Sequence, residues 1–238
     1  GDGSGQTGSA GGAVKFEESR GSFINCTLSR NSASDGGSLI ATYSSTVELR
    51  QSSVEHNFAA QYGGGLTIET QSTVSVIASS IHDNTAGKDT FLGQGGGFMV
   101  VDAIAGSRPT LDIREGTSIS NNHAFDGAGI MAQSSYIRIR SSTIRGNRAG
   151  SGGDQKGGGI FAIFKSIIEL RDQSTVSGNS AGEFGGGVYV EESTFLMSDS
   201  SLVQNDADAG GGLYAHNSSV SLNQEAFVRL NTAEQFGG

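Results

Sequence analysis

The stretch VEHNFAAQYGGGL at residues 54–66 contains the unit that decides the fold. In it, Val54 stands three residues before Asn57, Ala59 follows two residues later, and a glycine run leads into Leu66. The same order of residue types returns along the whole chain, which indicates an internal repeat. Eight asparagines occupy the phase of Asn57, namely Asn31, Asn57, Asn84, Asn122, Asn147, Asn179, Asn205 and Asn231.

The glycine runs repeat with the same period. The runs begin with GGAV at 11–14 and GGSL at 36–39, and they continue to GGGL at 210–213. Successive apolar residues that close these runs are 25 to 32 residues apart. Between the two landmarks lie short segments in which apolar and polar residues alternate, a pattern typical of β-strands.

Three short strands in each repeat of this length predict an all-β fold, a single right-handed parallel β-helix of about eight coils. The prediction treats residues 1–238 as one domain. Inward aliphatic side chains should stack from coil to coil, and the recurring asparagine should form a hydrogen-bonded ladder at a corner. An antiparallel sandwich is the competing fold, but it does not require the same side chain at the same phase in every repeat.

Composition excludes several other classes. Glycine supplies 38 of 238 residues and proline only one, so the chain lacks the regular glycine and proline pattern of collagen. The net charge of −9 makes nucleic acid a poor partner. No apolar run approaches the length of about 18 residues that crosses a bilayer, so this segment is not expected to insert into a membrane. The single cysteine, Cys26, cannot form an internal disulfide.

The repeat resembles that of the polymorphic outer membrane protein family of chlamydiae. GGAV at 11–14 matches the first motif of that family, and LSRN at 28–31, VEHN at 54–57 and VRLN at 228–231 resemble the second. In this chain the second motif has an aliphatic residue where the family has phenylalanine. The resemblance covers essentially the entire chain and implies a β-helical extracellular stalk or adhesin.

One column of outward positions stands out as a candidate contact surface. The residue in the middle of the strand after each glycine run is apolar or aromatic in six of eight repeats, namely Ile40, Met99, Met131, Phe161, Tyr189 and Tyr214. A ridge of this kind on the surface usually marks a binding face. The expected partners are other surface or extracellular-matrix proteins, copies of this chain, or glycans. Coverage by other parts of a longer chain, or cross-strand stacking that merely stabilises the sheet, is the alternative.

No catalytic, metal or cofactor site is expected from the sequence. Asp112 lies close in phase to Arg138, but neighbouring outward charges of opposite sign are common. His56 and His82 occupy adjacent phases without a recurring third ligand, so no metal site is predicted. Insertions at 87–94, 102–109 and 150–156 project from the coils, where binding loops tend to occur, although drift in repeat length is the simpler interpretation.

Two Asn-containing triplets bear on glycosylation. Asn217-Ser218-Ser219 is an acceptor sequence at an expected turn, and Asn25-Cys26-Thr27 is a poorer relative of it. The expected function is therefore a non-catalytic extracellular scaffold, such as an adhesin stalk, a surface coat or a filament component, and a segment of a longer surface protein. A β-helical polysaccharide lyase or glycoside hydrolase is the alternative.

Overall fold

The computed structural model describes residues 11–87, 93–150 and 154–237, without the side chain of Phe236. These residues form a parallel β-helix of eight coils, which confirms the predicted fold class. In three of the sheets, each strand pairs in parallel with its counterparts in the neighbouring coils, so each side chain there lies over the equivalent one of the next coil. At about 4.8 Å for each coil, the rod is roughly 40 Å long.

Sheet A begins directly after the glycine runs and contains one strand from each coil. Its strands are Val14–Glu17, Leu39–Thr42, Leu66–Glu69, Phe98–Val101, Ile130–Gln133, Ile160–Ile163, Val188–Glu191 and Leu213–His216.

Sheet B follows after a sharp corner. Its strands are Arg20–Ile24, Thr46–Arg50, Thr73–Ile77, Thr110–Arg114, Tyr136–Arg140, Ile167–Arg171, Thr194–Ser198 and Ser219–Asn223.

Sheet C carries the aliphatic residue that precedes each repeated asparagine. Its strands are Thr27–Ser29, Ser53–Glu55, Ser80–His82, Ser118–Ser120, Thr143–Arg145, Thr175–Ser177, Ser201–Val203 and Phe227–Arg229.

A fourth set of short strands, which the sequence did not predict, follows the asparagines. It consists of a five-stranded and a two-stranded sheet, which we together call sheet D. Isolated bridges through Ser180 connect the two. Its strands are Ser32–Asp35, Phe58–Tyr62, Thr85–Ala86, His123–Ala124, Arg148–Ala149, Asp206–Ala209 and Thr232–Phe236.

The interior of the coils is an unbroken aliphatic core. Inward residues of sheets A, B and C, such as Leu66, Val74 and Ile81, are completely buried and stack on their equivalents. Beside them six buried alanines form a second cluster, and five of these follow a repeated asparagine. In the last coil the inward side chains of Val220, Leu222 and Val228 are exposed.

The asparagine ladder has the predicted geometry. The Nδ2 atom of each asparagine donates to the Oδ1 atom of the next one at 2.9–3.0 Å, from Asn31 to Asn231. The same oxygen also accepts the backbone N–H of the preceding asparagine, as Asn84 Oδ1 does from Asn57 at 3.0 Å. These bonds satisfy polar groups that would otherwise be buried without partners.

Serine ladders occupy two further corners. Between sheets A and B, the Ser72 hydroxyl accepts the Ser45 N–H at 3.1 Å. Between sheets B and C, the Ser52 hydroxyl accepts the Cys26 N–H at 3.1 Å, and Ser79 continues that column. Three corners of the coil therefore carry side chains that satisfy the backbone of the coil before them.

Candidate functional site

The predicted ridge is one continuous column on the outer side of sheet A. The register pairs Met99 with Met131, Met131 with Phe161, Phe161 with Tyr189, and Tyr189 with Tyr214. Ile40 belongs to the same column, because it pairs with Thr67, and Thr67 pairs with Met99.

This column is not the exposed ridge that the sequence led us to expect. Ile40 and Met131 are completely buried, and Met99, Phe161 and Tyr189 are only 4–5% exposed. Tyr214 alone among the six predicted residues is half-buried. The expectation of an open ridge is therefore wrong, because side chains of this same chain cover the column.

Some of the covering side chains belong to residues just before the glycine runs. Tyr62 and Phe184 pack against the column, each followed by a glycine with a left-handed backbone, such as Gly185 at φ 64°. A Cβ atom at Gly185 would lie only 2.5 Å from the carbonyl oxygen of Val188, so the turn requires glycine. The turn brings outer side chains of the preceding segment against the outer side of sheet A.

Aromatic rings fill this corner toward the C-terminal coils. The rings of Phe161 and Tyr189 meet edge to face at 5.1 Å, and those of Tyr189 and Tyr214 are stacked at 5.4 Å. Phe184 lies 4.6 Å from Tyr214, and the Lys156 ammonium lies 5.4 Å from the centre of the Tyr189 ring. Burial, together with the Glu191 carboxylate that accepts the phenol hydrogen bond, raises the pKa of Tyr189 above its ordinary value. The corner is thus a packed aromatic cluster.

Asp126 lies in the same column as Lys156 and Phe184, before its own glycine run. Its carboxylate accepts the backbone N–H of Lys156 at 2.9 Å and is 9% exposed. Burial raises the pKa of Asp126 to about 6, and the charge of Asp154 acts in the same direction, while Lys156 opposes it. A carboxyl with this pKa holds and releases a proton close to neutral pH.

The outer face of sheet B carries a group of charges around Asp112. Arg140 Nη2 lies 2.8 Å from Asp112 Oδ1 and 3.2 Å from Oδ2. Arg114 lies 3.6 Å and Arg138 3.9 Å from the same carboxylate. The structure thus brings Asp112 and Arg138 together as their phase indicated, but the closest partner is Arg140, two positions further along the strand.

On sheet C, His82 lies between two carboxylates. Its Nε2 atom is 3.0 Å from Glu55 and its Nδ1 atom is 2.7 Å from Asp83, while Ser53 Oγ lies 3.4 Å from Nε2. Serine, histidine and aspartate in this order resemble a hydrolytic triad. However, Ser53 donates to Glu55 at 2.9 Å, and Glu55 faces the ring nitrogen that a general base would use. The group therefore forms a cluster of close polar contacts around the ring. The predicted neighbour His56 contacts His82 edge to face at 6.0 Å.

In the middle coils, exposed apolar side chains lie at the corner between sheets A and B. We call this corner the A–B edge; it consists of the residues between the sheet A and sheet B strands, including the insertion at 102–109. In the second to seventh coils of the described chain, the exposed large apolar side chains are Tyr43, Ile104 and Phe164, at 45%, 54% and 50%. The sequence does not indicate this surface, because the same corner position is held by residues as different as Glu18, Thr70 and Asn217.

The insertion at 102–109 projects from the A–B edge. Ile104 and Ser107 of this loop, together with Tyr43 and Gln71 of earlier coils, line a cavity of about 330 Å³. Residues 88–92 and 151–153 of the other two predicted insertions lie outside the described residues. The insertion at 102–109 thus contributes to a concave surface on this edge.

Both candidate glycosylation sites lie on the surface at corners. Asn217 is exposed on the A–B edge in the eighth coil, and Asn25 is exposed at the corner between sheets B and C. Each has a left-handed backbone, with φ 49° and 53° respectively.

The described part of the chain presents neither a metal cluster nor a membrane-spanning helix. There, no group of three or more histidine, cysteine, aspartate or glutamate side chains is arranged to hold a metal ion. Over the same residues, no helix is long and apolar enough to cross a bilayer.

Comparison with known proteins gives one match. A family model described as a right-handed β-helix region matches residues 12–233. Neither the curated proteins nor the solved structures contain a match to the chain.

Proposed function

Because this chain belongs to the family of right-handed β-helix proteins, we propose that it serves as a non-catalytic extracellular scaffold. The stacking from Asn31 to Asn231 is the observation that carries this proposal. Each coil contacts only its neighbours, so the continuous ladder joins all eight coils into one rod. A rod of this kind holds attached surfaces at fixed spacing, which is the task of a stalk, a coat or a filament.

The contacts that the surface carboxylates make within the chain favour a scaffold over an enzyme. A glycosidase needs two carboxyl groups that face the substrate, and a lyase needs an available base. On the open faces of sheets B and C, however, Asp112 is surrounded by arginines and Glu55 is paired with His82. Both carboxylates are therefore engaged by side chains of the same chain.

The A–B edge is the surface that we assign to partner contacts, in place of the buried column. The partners proposed for it are other extracellular proteins, further copies of the chain, or glycans. The likeness to chlamydial surface proteins fits the scaffold function. The residues that carry the likeness, such as those of GGAV and VEHN, form the glycine corner and the asparagine ladder.

One observation favours the alternative of a polysaccharide-degrading enzyme. Asp126 has a pKa of about 6, suited to a general acid, and Asp154 is a second carboxylate close enough to affect it. In this second candidate function, Asp126 protonates the leaving sugar oxygen.

The two functions are separated by an assay for polysaccharide cleavage. We expect no new reducing ends and no unsaturated sugar ends when the chain is incubated with neutral or acidic polysaccharides. Turnover that Asp126→Asn abolishes would establish the enzyme. As a matched control, Asp112→Asn alters a carboxylate that arginines already neutralise.

A further inference from the structure

We propose that the cavity on the A–B edge binds a neutral sugar unit of a glycan. This inference rests on the proposed scaffold function and names the partner that the edge would hold. The cavity, of about 330 Å³, is lined by Glu18, Tyr43, Ser44, Thr70, Gln71, Ile104 and Ser107. Its volume lies within the range of roughly 300–1,000 Å³ that is usual for small-ligand sites.

The floor of the cavity is formed by three consecutive coils. Glu18, Tyr43 and Thr70 occupy the same corner position, each with a left-handed backbone at φ 44–49°. The corner is closed by backbone hydrogen bonds, from Ser44 N–H to the Thr70 carbonyl at 2.9 Å and from Glu18 N–H to the Tyr43 carbonyl at 3.1 Å. These side chains are therefore held at the spacing of the coils.

The wall of the cavity is the loop at 102–109, which its own hydrogen bonds make rigid. The Asp102 carboxylate accepts the N–H groups of Ile104 at 3.2 Å, Gly106 at 2.9 Å and Ser107 at 3.1 Å, and also the Ser107 hydroxyl. A preformed wall lowers the entropy that a ligand loses on binding.

The lining combines apolar surface with neutral hydrogen-bonding groups. The Tyr43 ring and the Ile104 side chain are about half exposed and offer apolar contact. Ser44 Oγ donates to Gln71 Oε1 at 3.0 Å, which leaves the Gln71 amide hydrogens as donors and the serine oxygen as an acceptor. A sugar ring matches this mixture, since its C–H faces are apolar and its hydroxyls both donate and accept.

The charge of the lining selects a neutral sugar over an acidic one. Glu18 is the charged residue among those that line the cavity, and its carboxylate repels a uronate or a sulfate ester. A peptide that binds by strand addition needs an unpaired sheet edge. Here the backbone N–H groups of Glu18 and Ser44 are already paired between coils.

The test uses the whole chain and defined oligosaccharides. Neutral hexasaccharides of glucose, galactose or mannose, and an oligogalacturonate as the acidic comparison, are titrated against the protein by calorimetry. We expect at least one neutral hexasaccharide to bind more tightly than the oligogalacturonate. Tyr43→Ala should weaken that binding about tenfold, as loss of a central aromatic contact does.

Two variants serve as controls. Tyr43→Phe keeps the ring and should keep most of the affinity. Phe164→Ala removes an equally exposed aromatic of the same edge outside the cavity lining and should leave the affinity unchanged. Because Tyr43 is exposed, circular dichroism of Tyr43→Ala should match that of the unaltered chain.

Three results would overturn the site: no binding of any neutral hexasaccharide, tighter binding of oligogalacturonate, or full affinity in Tyr43→Ala. Each would leave the scaffold function standing. Cleavage of a bound hexasaccharide, by contrast, would contradict the non-catalytic scaffold and still support the site.

Discussion

The Asn122 side-chain amide donates a hydrogen bond of 2.9 Å to Asn147 Oδ1, one coil further along the rod. The same oxygen accepts the Asn122 backbone N–H at 3.0 Å. Asn147 Nδ2 in turn donates to the Ile119 carbonyl at 3.1 Å and to Asn179 at 2.9 Å. Because Asn147 is completely buried, one side chain satisfies four interactions that water cannot replace.

We expect Asn147→Leu to lower the free energy of unfolding by about 3–5 kcal/mol, since it leaves several buried groups without partners. Urea unfolding followed by circular dichroism measures this loss. Asn31→Leu is the matched control, because Asn31 begins the ladder and is half-buried. It should cost less than half as much. Equal losses in the two variants would show that the ladder is not the source of the stability.

Phe161 and Phe164 provide a test of the buried column. Phe161 is 5% exposed beneath the aromatic cluster, whereas Phe164 is 50% exposed on the A–B edge. Phe161→Ala should therefore destabilise the chain by about 3–5 kcal/mol, as expected for a large core truncation. Phe164→Ala should change the stability by no more than about 0.5 kcal/mol.

Thermal and urea unfolding of both variants measure these two changes in stability. If Phe161→Ala unfolds like the unaltered chain but no longer binds a partner, the column is a contact surface as the sequence first indicated.

The interior of this fold could be predicted from the sequence because each inward position repeats one type of residue. Asn57, Asn84 and Asn122 share a phase, and so do Val54 and Ile81, which is visible without coordinates. The serine at the corner between sheets A and B recurs in the same way, so the positions of Ser45 and Ser72 in the sequence already indicate that ladder.

Exposure on the outer side of sheet A could not be predicted in this way. It depends on the residue before each glycine run, and that residue changes from Tyr62 to Asp126 to Phe184. A position with no constant residue type gives no periodic signal. How far its side chain reaches over the neighbouring strand depends on the left-handed turn at the glycine.

Asn217 provides a test of the predicted glycosylation site. When the chain is secreted from a eukaryotic host, we expect one N-linked glycan at this exposed residue, because its acceptor triplet lies at an accessible corner. Intact mass spectrometry should show a mass that falls by one glycan in Asn217→Gln. In the control, Asn25→Gln, the glycan should remain. An unmodified chain, or a glycan lost only with Asn25, would contradict the assignment of Asn217.

Asp126 should make the chain less stable as the pH rises. Its pKa is about 6 in the folded chain because of burial, against an ordinary value of 3.8, so the folded state binds the proton more tightly than the unfolded state. The contribution of this group to stability is therefore greatest below pH 4. This stabilisation is lost as the pH rises from about 4 to about 6, and the loss in the free energy of unfolding is about 3 kcal/mol at most.

Asp126→Asn keeps an oxygen that accepts the Lys156 N–H but removes the titration. We expect the variant to be more stable than the unaltered chain at pH 7, by about 1–3 kcal/mol, and to differ little from it at pH 4. Urea unfolding at the two pH values gives both differences, and shared contributions of other carboxylates cancel in the comparison. The opposite result would be a variant that is less stable than the unaltered chain at pH 7 but equally stable at pH 4. It would mean that the fold stabilises the Asp126 carboxylate, because the attraction of Lys156 outweighs the cost of burial.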